Sequence, residues 1–313
     1  MGGLQVLTDP QQSCRVGLEP QDGSAAEWRT AGAAQQGRSH LETSTPCQDH
    51  VATRTFPDGT VTGALSDGAG SSRFSHYGAQ LLVARAQALL QAQFEPLFRA
   101  TNNLGSLRTR LVEDLRGELR ELASAGINFS EEERKKFGLP PRTEQAQVQC
   151  DLQDLAATLL VVAINGGRFV ALHIGDGVIG IEHLLKSGPR TKPLSVPDNG
   201  EFINETRFIT SQDAEEYIRV FRGHLDTRTR NIIGFVLMSD GPEVSLYKRT
   251  TNEMAQACSK LLNAGRELPE EVMNEQLAVT LKEVIAPRTH DDCSIVLIAR
   301  SAAPTPVGSG MTC

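Results

Sequence analysis

The chain carries 313 residues, 39% hydrophobic and 22% charged, enough for one large domain or two small ones with a buried core. Its formal net charge of -7 offers no basic face for nucleic acid, and no apolar run approaches the roughly 18 residues that cross a bilayer, so neither nucleic acid nor membrane is an expected partner.

Residues 1–26 mix Gln, Gly, Pro, Asp and Ser without period and read as a loosely ordered segment. They show no charged stretch followed by an apolar one, and Val6 stands where a myristoylation motif wants Ser or Thr, so neither a leader nor a lipid anchor is expected. WRTAGAAQ, DHVATRTF and TVTGALS follow as strands, the last two joined by a hairpin turn at Pro57-Asp58-Gly59. Helix formers predict one helix over about 75–98. Leu104, Leu107, Leu111, Leu115, Leu119 and Leu122 then recur at helical steps, a stripe too short for a coiled-coil seam, which favours a helix packed in its own domain over a partner-binding one. Ser130 and Glu133 spell a capping box before a short helix.

DLAATLLVVAIN, RFVALHIG and GVIGIEHL are apolar enough to be central strands, with a Gly166-Gly167 turn between the first two. Residues 186–230 lose this pattern and read as a flap on the surface. NIIGFVLMS is another buried strand, helices are expected over about 248–263 and 269–285, CSIVLIA closes as a strand, and 301–313 reads as a flexible tail. Strands broken by paired helices predict an α+β fold in one domain over 27–300. Cys14, Cys47, Cys150, Cys258, Cys293 and Cys313 form no C-x-x-C pair, which predicts free thiols in a reducing cytoplasm.

Chemistry enters through the aspartates. Five Asp-Gly dipeptides occur, and Asp22-Gly23 and Asp58-Gly59 fit ordinary turns. GALSDG, ALHIGDG and FVLMSDG differ, because each sets Asp67, Asp176 or Asp240 directly after a buried run, where a bare carboxylate is costly unless paired or bound to metal. Asp291-Asp292 stands likewise just before CSIVLIA. With no His or Cys cluster at ligand spacing, a metal here would be held by oxygen, as Mg2+ or Mn2+ are. Two such ions would bind phosphate oxygens and acidify a water between them. The glycines after Asp67 complete neither G-x-x-x-x-G-K-[ST] nor G-x-G-x-x-G, since Arg73 occupies the last position of the second pattern, so a backbone phosphate cradle is disfavoured.

In order and context these pieces resemble the PPM family, the metal-dependent type 2C Ser/Thr protein phosphatases, in its bacterial branch. The resemblance is carried by Gly37-x-Ser39-His40, Pro46-Cys47-Gln48-Asp49, Ser66-Asp67-Gly68-Ala69-Gly70-Ser71, Ala157-Thr158-Leu159, Gly175-Asp176-Gly177, Ser239-Asp240-Gly241 and Asp291-Asp292-Cys293-Ser294. It implies a four-layer α-β-β-α sandwich, two antiparallel sheets flanked by helix pairs. It further implies hydrolysis of phosphoserine and phosphothreonine on proteins by a metal-bridging hydroxide. Asp67 would bridge two Mn2+ or Mg2+ ions, the Gly68 carbonyl would ligate one, Asp240 and Asp291 would complete the other, and Asp49 would hold metal-bound water. Asp176 would help form the third position seen in some bacterial members. A phosphorylated protein is then the substrate and a Ser/Thr kinase the expected counterpart.

Three departures from the family pattern concern turnover. Gln48 stands where many members have Glu, Ala69 replaces a His proposed as general acid, and Ser44 replaces an Arg that grips phosphate. His40 and His76 are the candidates for the proton, and Arg38, Arg54 and Arg73 for the phosphate. The alternative reading is a weak or inactive pseudophosphatase that only binds phosphoproteins.

Overall fold

The computed structural model describes residues 28–100, 103–140, 147–197, 206–228 and 231–301, so the segment 1–26 and all of the tail except Ser301 lie outside it. Strand β1 (Trp28–Gln35) leads through the short helix α1 (Arg38–Glu42) into the hairpin β2 (Asp49–Thr55) and β3 (Val61–Asp67). Helices α2 (Ser75–Ala92), α3 (Phe94–Arg99), α4 (Leu104–Ala125) and α5 (Glu131–Lys136) follow, with the two-residue strands β4 (Ile127–Asn128) and β5 (Gln147–Val148) paired on either side of α5. The middle of the chain is β6 (Leu159–Asn165), β7 (Arg168–Ile174), β8 (Val178–Leu185) and β9 (Gly188–Ser195). Next come α6 (Ala214–Tyr217), β10 (Arg219–His224), β11 (Ile232–Met238), α7 (Glu243–Leu246) and a small hairpin of β12 (Tyr247–Lys248) and β13 (Glu253–Met254). Helices α8 (Gln256–Glu267) and α9 (Glu270–Thr280) precede the last strand, β14 (Cys293–Arg300).

The large strands form two five-stranded antiparallel sheets, ordered β1-β14-β11-β8-β9 and β10-β7-β6-β3-β2. Their side chains explain the layering. In β6, Leu160, Val162 and Ile164 join a core between the sheets with Val296 and Ile298 of β14, while Leu159, Val161 and Ala163 face the layer of α2 and α4. In β14, Ile295, Leu297 and Ala299 face α8 and α9. Strands apolar on both faces need cover on both, and the α-β-β-α sandwich supplies it, as the family resemblance implies. Leu111, Leu115 and Leu119 of the leucine stripe are buried in that first helical layer, so the helix serves its own domain. Next to the stripe, the buried Arg116 donates to the carbonyls of Ile209 (3.3 Å) and Ser211 (2.6 Å), anchoring the segment that leads into α6.

Three expectations about elements are corrected. The helix expected over 75–98 breaks at Gln93, because Pro96 has no N–H for the Ala92 carbonyl and its ring crowds that turn. The stretch 186–230 contributes β9 and β10, one on the edge of each sheet. Edge strands need one ladder only and tolerate Pro189, Pro193 and exposed polar residues, so they carry little hydrophobic period. The helix expected from 248 starts at Gln256, since residues 247–254 form the β12–β13 hairpin, whose turn holds Asn252 at φ 54° and hydrogen-bonds it to the Tyr247 hydroxyl (2.8 Å).

Gly78 in α2 tests the packing of this layer, because a Cβ there would lie 2.0 Å from the Leu155 carbonyl oxygen. On an exposed helix Gly→Ala stabilises by about 1 kcal/mol. Here Gly78→Ala is expected to destabilise by about 1–3 kcal/mol, as overpacking does, seen as earlier thermal unfolding by circular dichroism.

Candidate metal centre

The two-residue period of the strands decides where their polar ends point. Val61 and Leu65 of β3 face the other sheet, so Asp67 shares that face; Val51 of β2 packs there too, so Asp49 does as well, and Asp49 and Asp67 are register partners. From the opposite sheet, Leu237 brings Ser239 into the same phase, and Val296 and Ile298 bring Ser294. The buried Ser239 hydroxyl donates to Asp49 Oδ2 at 2.7 Å, linking the sheets, and accepts from the Ser294 N–H at 3.0 Å.

The Asp67 loop is held from behind by residues 156–158. Asp67 N–H donates to Thr158 Oγ1 (2.9 Å), Thr158 N–H donates to the Asp67 carbonyl (2.8 Å), and Ala69 N–H donates to the Ala156 carbonyl (2.9 Å). Gly68 N–H reaches the Gln48 carbonyl at 3.2 Å. Asp176 lies in the connection that crosses from β7 in one sheet to β8 in the other. Gly175 has φ 116°, and a Cβ there would meet Thr158 Cγ2 at 2.5 Å, while one on Gly177 would meet the Met238 carbonyl at 2.6 Å; the two glycines let this crossing pass between the sheets. Thr206 Oγ1 donates to Asp176 Oδ2 at 2.7 Å. Asp240 opens the turn into α7, its carbonyl accepting from Glu243 N–H at 3.0 Å, and Asp291 stands exposed at the rim before β14.

Burial, followed by the charges of Asp49, Asp240, Asp176 and Asp291, holds the Asp67 carboxyl well above the usual range. Burial lifts Asp49 to about 7 against the hydroxyl of Ser239, and burial with the charges of Asp291 and Asp176 lifts Asp240 to about 8. Asp291 is raised as well, by its crowded surroundings and against the N–H of Asp292. Among the described residues, Asp49 Oδ1, Asp240 Oδ1 and Gln48 Oε1 are buried with no hydrogen-bond partner. Also among them, no three His, Cys, Asp or Glu side chains are gathered tightly enough to hold an ion as they stand. Orphaned, mutually repelling oxygen donors fit a hard divalent cation, which would satisfy the lone pairs and relieve the repulsion together.

His40 and Arg38 lie on α1, which is tied to the loop before β14: Ser39 N–H and Arg38 Nε donate to the carbonyls of His290 and Thr289, both at 3.1 Å. His40 Nδ1 lies 2.9 Å from Asp292 Oδ2. Arg73 is turned to the aromatic side of α2, its guanidinium 4.9 Å from the Phe74 ring and donating to the Phe137 carbonyl. His76 likewise faces Glu133, at 3.9 Å. Arg54 stacks on Phe56 (4.5 Å), toward the far end of β2. Gln48 donates through Nε2 to Ser75 Oγ at 2.8 Å. Sequence reasoning passed over Asp292, whose buried carboxylate accepts from Gly37 N–H and Gln48 N–H, both at 2.6 Å. The doubled Asp was its only signal, since the donors come from the other end of the chain.

The family described as Protein phosphatase 2C matches residues 36–282. The Serine/threonine-protein phosphatase 3 of Escherichia coli (strain K12) is 25% identical over 285 residues, covering 86% of this chain and 97% of that protein. Among solved structures, a bacterial serine phosphatase superposes with TM-score 0.53 at 12% identity, over 88% of this chain and 99% of its own. A serine/threonine phosphatase of S. agalactiae does so with TM-score 0.51 at 15% identity, over 87% and 99%. At such identities the structures speak for the fold.

The raised carboxyls set a pH dependence for the metal-free chain. An Asp whose folded pKa exceeds its unfolded value stabilises the fold while protonated, and that contribution is lost as pH rises through the folded pKa. With chelator present, the melting temperature contributed by this cluster is expected to fall between about pH 4 and pH 8, the window set by the ordinary Asp value and by Asp49 and Asp240. Asp49→Asn should flatten the fall, and excess Mn2+ should raise the melting temperature more at pH 8 than at pH 5. Differential scanning fluorimetry over that range checks both.

Proposed function

The chain belongs to the protein phosphatase 2C family, and from that premise we propose how it works: it is a metal-dependent hydrolase of phosphoserine and phosphothreonine in proteins, acting at the carboxylate cluster. The observation that carries this reading is the meeting, at one end of the sandwich, of Asp49 and Asp67 from one sheet with Asp240 and Asp291 from the other. Asp67 and the Gly68 carbonyl would hold the metal on the β3 side, Asp240 and Asp291 would hold it on the β11–β14 side, and Asp176 offers a further position. Bound there, two Mn2+ or Mg2+ ions supply Lewis-acid charge to phosphate oxygens and make water acidic enough to attack phosphorus near neutral pH.

The chain's own residues do the rest. Asp49, fixed by the bond from Ser239, would accept a hydrogen bond from water in the cluster. As the water oxygen bonds to phosphorus and the bond to the Ser or Thr oxygen breaks, the departing oxygen needs a proton. Ala69 supplies none. His40, whose Nδ1 stands 2.9 Å from Asp292 Oδ2, is assigned that donation from Nε2. A Ser/Thr kinase is the necessary source of the substrate. Cytoplasmic placement is supported by unpaired Cys47, Cys150, Cys258 and Cys293, and by the lack, among the described residues, of any helix long and apolar enough to cross a membrane.

A phosphothreonine peptide with Mn2+ tests the assignment. Wild type is expected to release phosphate, and Asp67→Ala or Asp291→Ala to lose more than the roughly 10- to 100-fold typical of outer-layer changes around a metal. No release from wild type would sink the enzyme claim, and activity surviving in both variants would sink the ligand assignment. His40→Gln should lower kcat on the phosphothreonine peptide, by about 100-fold, and much less on p-nitrophenyl phosphate, whose leaving group needs no proton. Equal losses on both would remove His40 from the proton step.

A further inference from the structure

A phosphorylated substrate brings negative charge to a site already crowded with carboxylates, and a cation of the chain at the rim would add to the charge that bound metal ions offer it. Of the arginines singled out in the sequence, Arg73 and Arg54 are occupied at aromatic rings, and Arg38 is turned to the Thr289 carbonyl. The structure offers another. Three residues after Asp240, α7 begins at Glu243, whose N–H is bonded to the Asp240 carbonyl at 3.0 Å. The chain then passes through Tyr247, pinned opposite Met254, and returns Arg249 to Glu243. Arg249 donates through Nε to Glu243 Oε1 and through Nη2 to Oε2, the latter at 2.5 Å, a two-point fork.

This pair is asymmetric. The Glu243 side chain is 7% exposed and that of Arg249 51%, so the carboxylate is covered and the guanidinium faces outward. Among the described residues, Nη1 has no partner in the fork or elsewhere. The Glu243 bond, with the charges of Asp176 and Asp240 adding to it, raises the guanidinium pKa above its ordinary value, and the same turn is joined to Asp240 by the Glu243 N–H. A buried carboxylate beneath a fixed planar cation leaves an approaching anion to meet the positive end of the pair.

We infer that Arg249, braced by Glu243, is the residue of this chain that grips the phosphoryl group of the substrate; the inference rests on the phosphatase reading of the cluster. It fills the role left open by Ser44 from a different part of the chain, and it acts on binding more than on bond breaking.

Two measurements test it. Anisotropy with a labelled, hydrolysis-resistant thiophosphothreonine peptide in Mn2+ reads binding without turnover, and steady-state kinetics with phosphothreonine peptide and p-nitrophenyl phosphate reads KM against kcat. Arg249→Ala should weaken thiophosphopeptide binding by about tenfold or more, the scale of a charged hydrogen bond, and raise KM for both substrates with a smaller change in kcat. Glu243→Gln should give a lesser loss, and Arg249→Lys, which keeps the charge without the fork, a partial recovery. Unchanged binding and KM in a folded Arg249→Gln would overturn the inference, as would a loss confined to peptides with acidic flanks and absent with p-nitrophenyl phosphate. A wild type that binds the thiophosphopeptide through Arg249 yet hydrolyses nothing would uphold this contact and remove the phosphatase reading. A wild type that does neither would remove both.

Discussion

The hydrogen bond from Ser239 to Asp49 joins the two sheets at the end where their carboxylates gather, and most of the local architecture follows from having to hold negative charge there. Moving an ion out of water costs several kcal/mol even after relaxation, and several carboxylates together repel one another as well. Only a scaffold with stability to spare tolerates this. That surplus comes from the core between the sheets, built by Leu65, Leu160, Val162, Phe235, Val296 and their neighbours, which fixes the strand ends in place.

The same end is secured by polar bonds that point away from the cluster and leave its oxygens available. Thr158 binds the backbone of Asp67 on both sides, while the Asp292 carboxylate binds the backbone of Gly37 and Gln48. Of the two adjacent aspartates, one is therefore spent on structure and the other stands at the rim. His40 Nδ1 stands 2.9 Å from the structural one, which sets an imidazole there without adding another acid. Such supporting shells make a site rigid before any ligand arrives.

Much of this was legible because it follows local rules. Continuous apolar runs in LLVVAIN and CSIVLIA announced strands covered on both faces, and the family resemblance supplied the layered sandwich. An Asp closing such a strand is anomalous on desolvation grounds alone, which singled out Asp67 and Asp240. Where the reading failed, local pattern was weak or overruled. β9 and β10 sit at sheet edges and need no continuous apolar face, and the start of α8 was displaced by a hairpin whose only mark is a polar turn.

What the sequence determined by itself was the central strands, their phase, and a set of carboxylates at strand ends with no soft donors among them. Periodicity and desolvation act over a few residues, so they can be read from the chain. Where the neighbouring cations and imidazoles stand was decided only in three dimensions. Arg249 reaches Glu243 because a hairpin turns it back, and His40 lies against Asp292, distant in sequence, because β1 and β14 are register partners. Those pairings depend on chain return and on which polar groups the core leaves uncovered, and no local pattern encodes either.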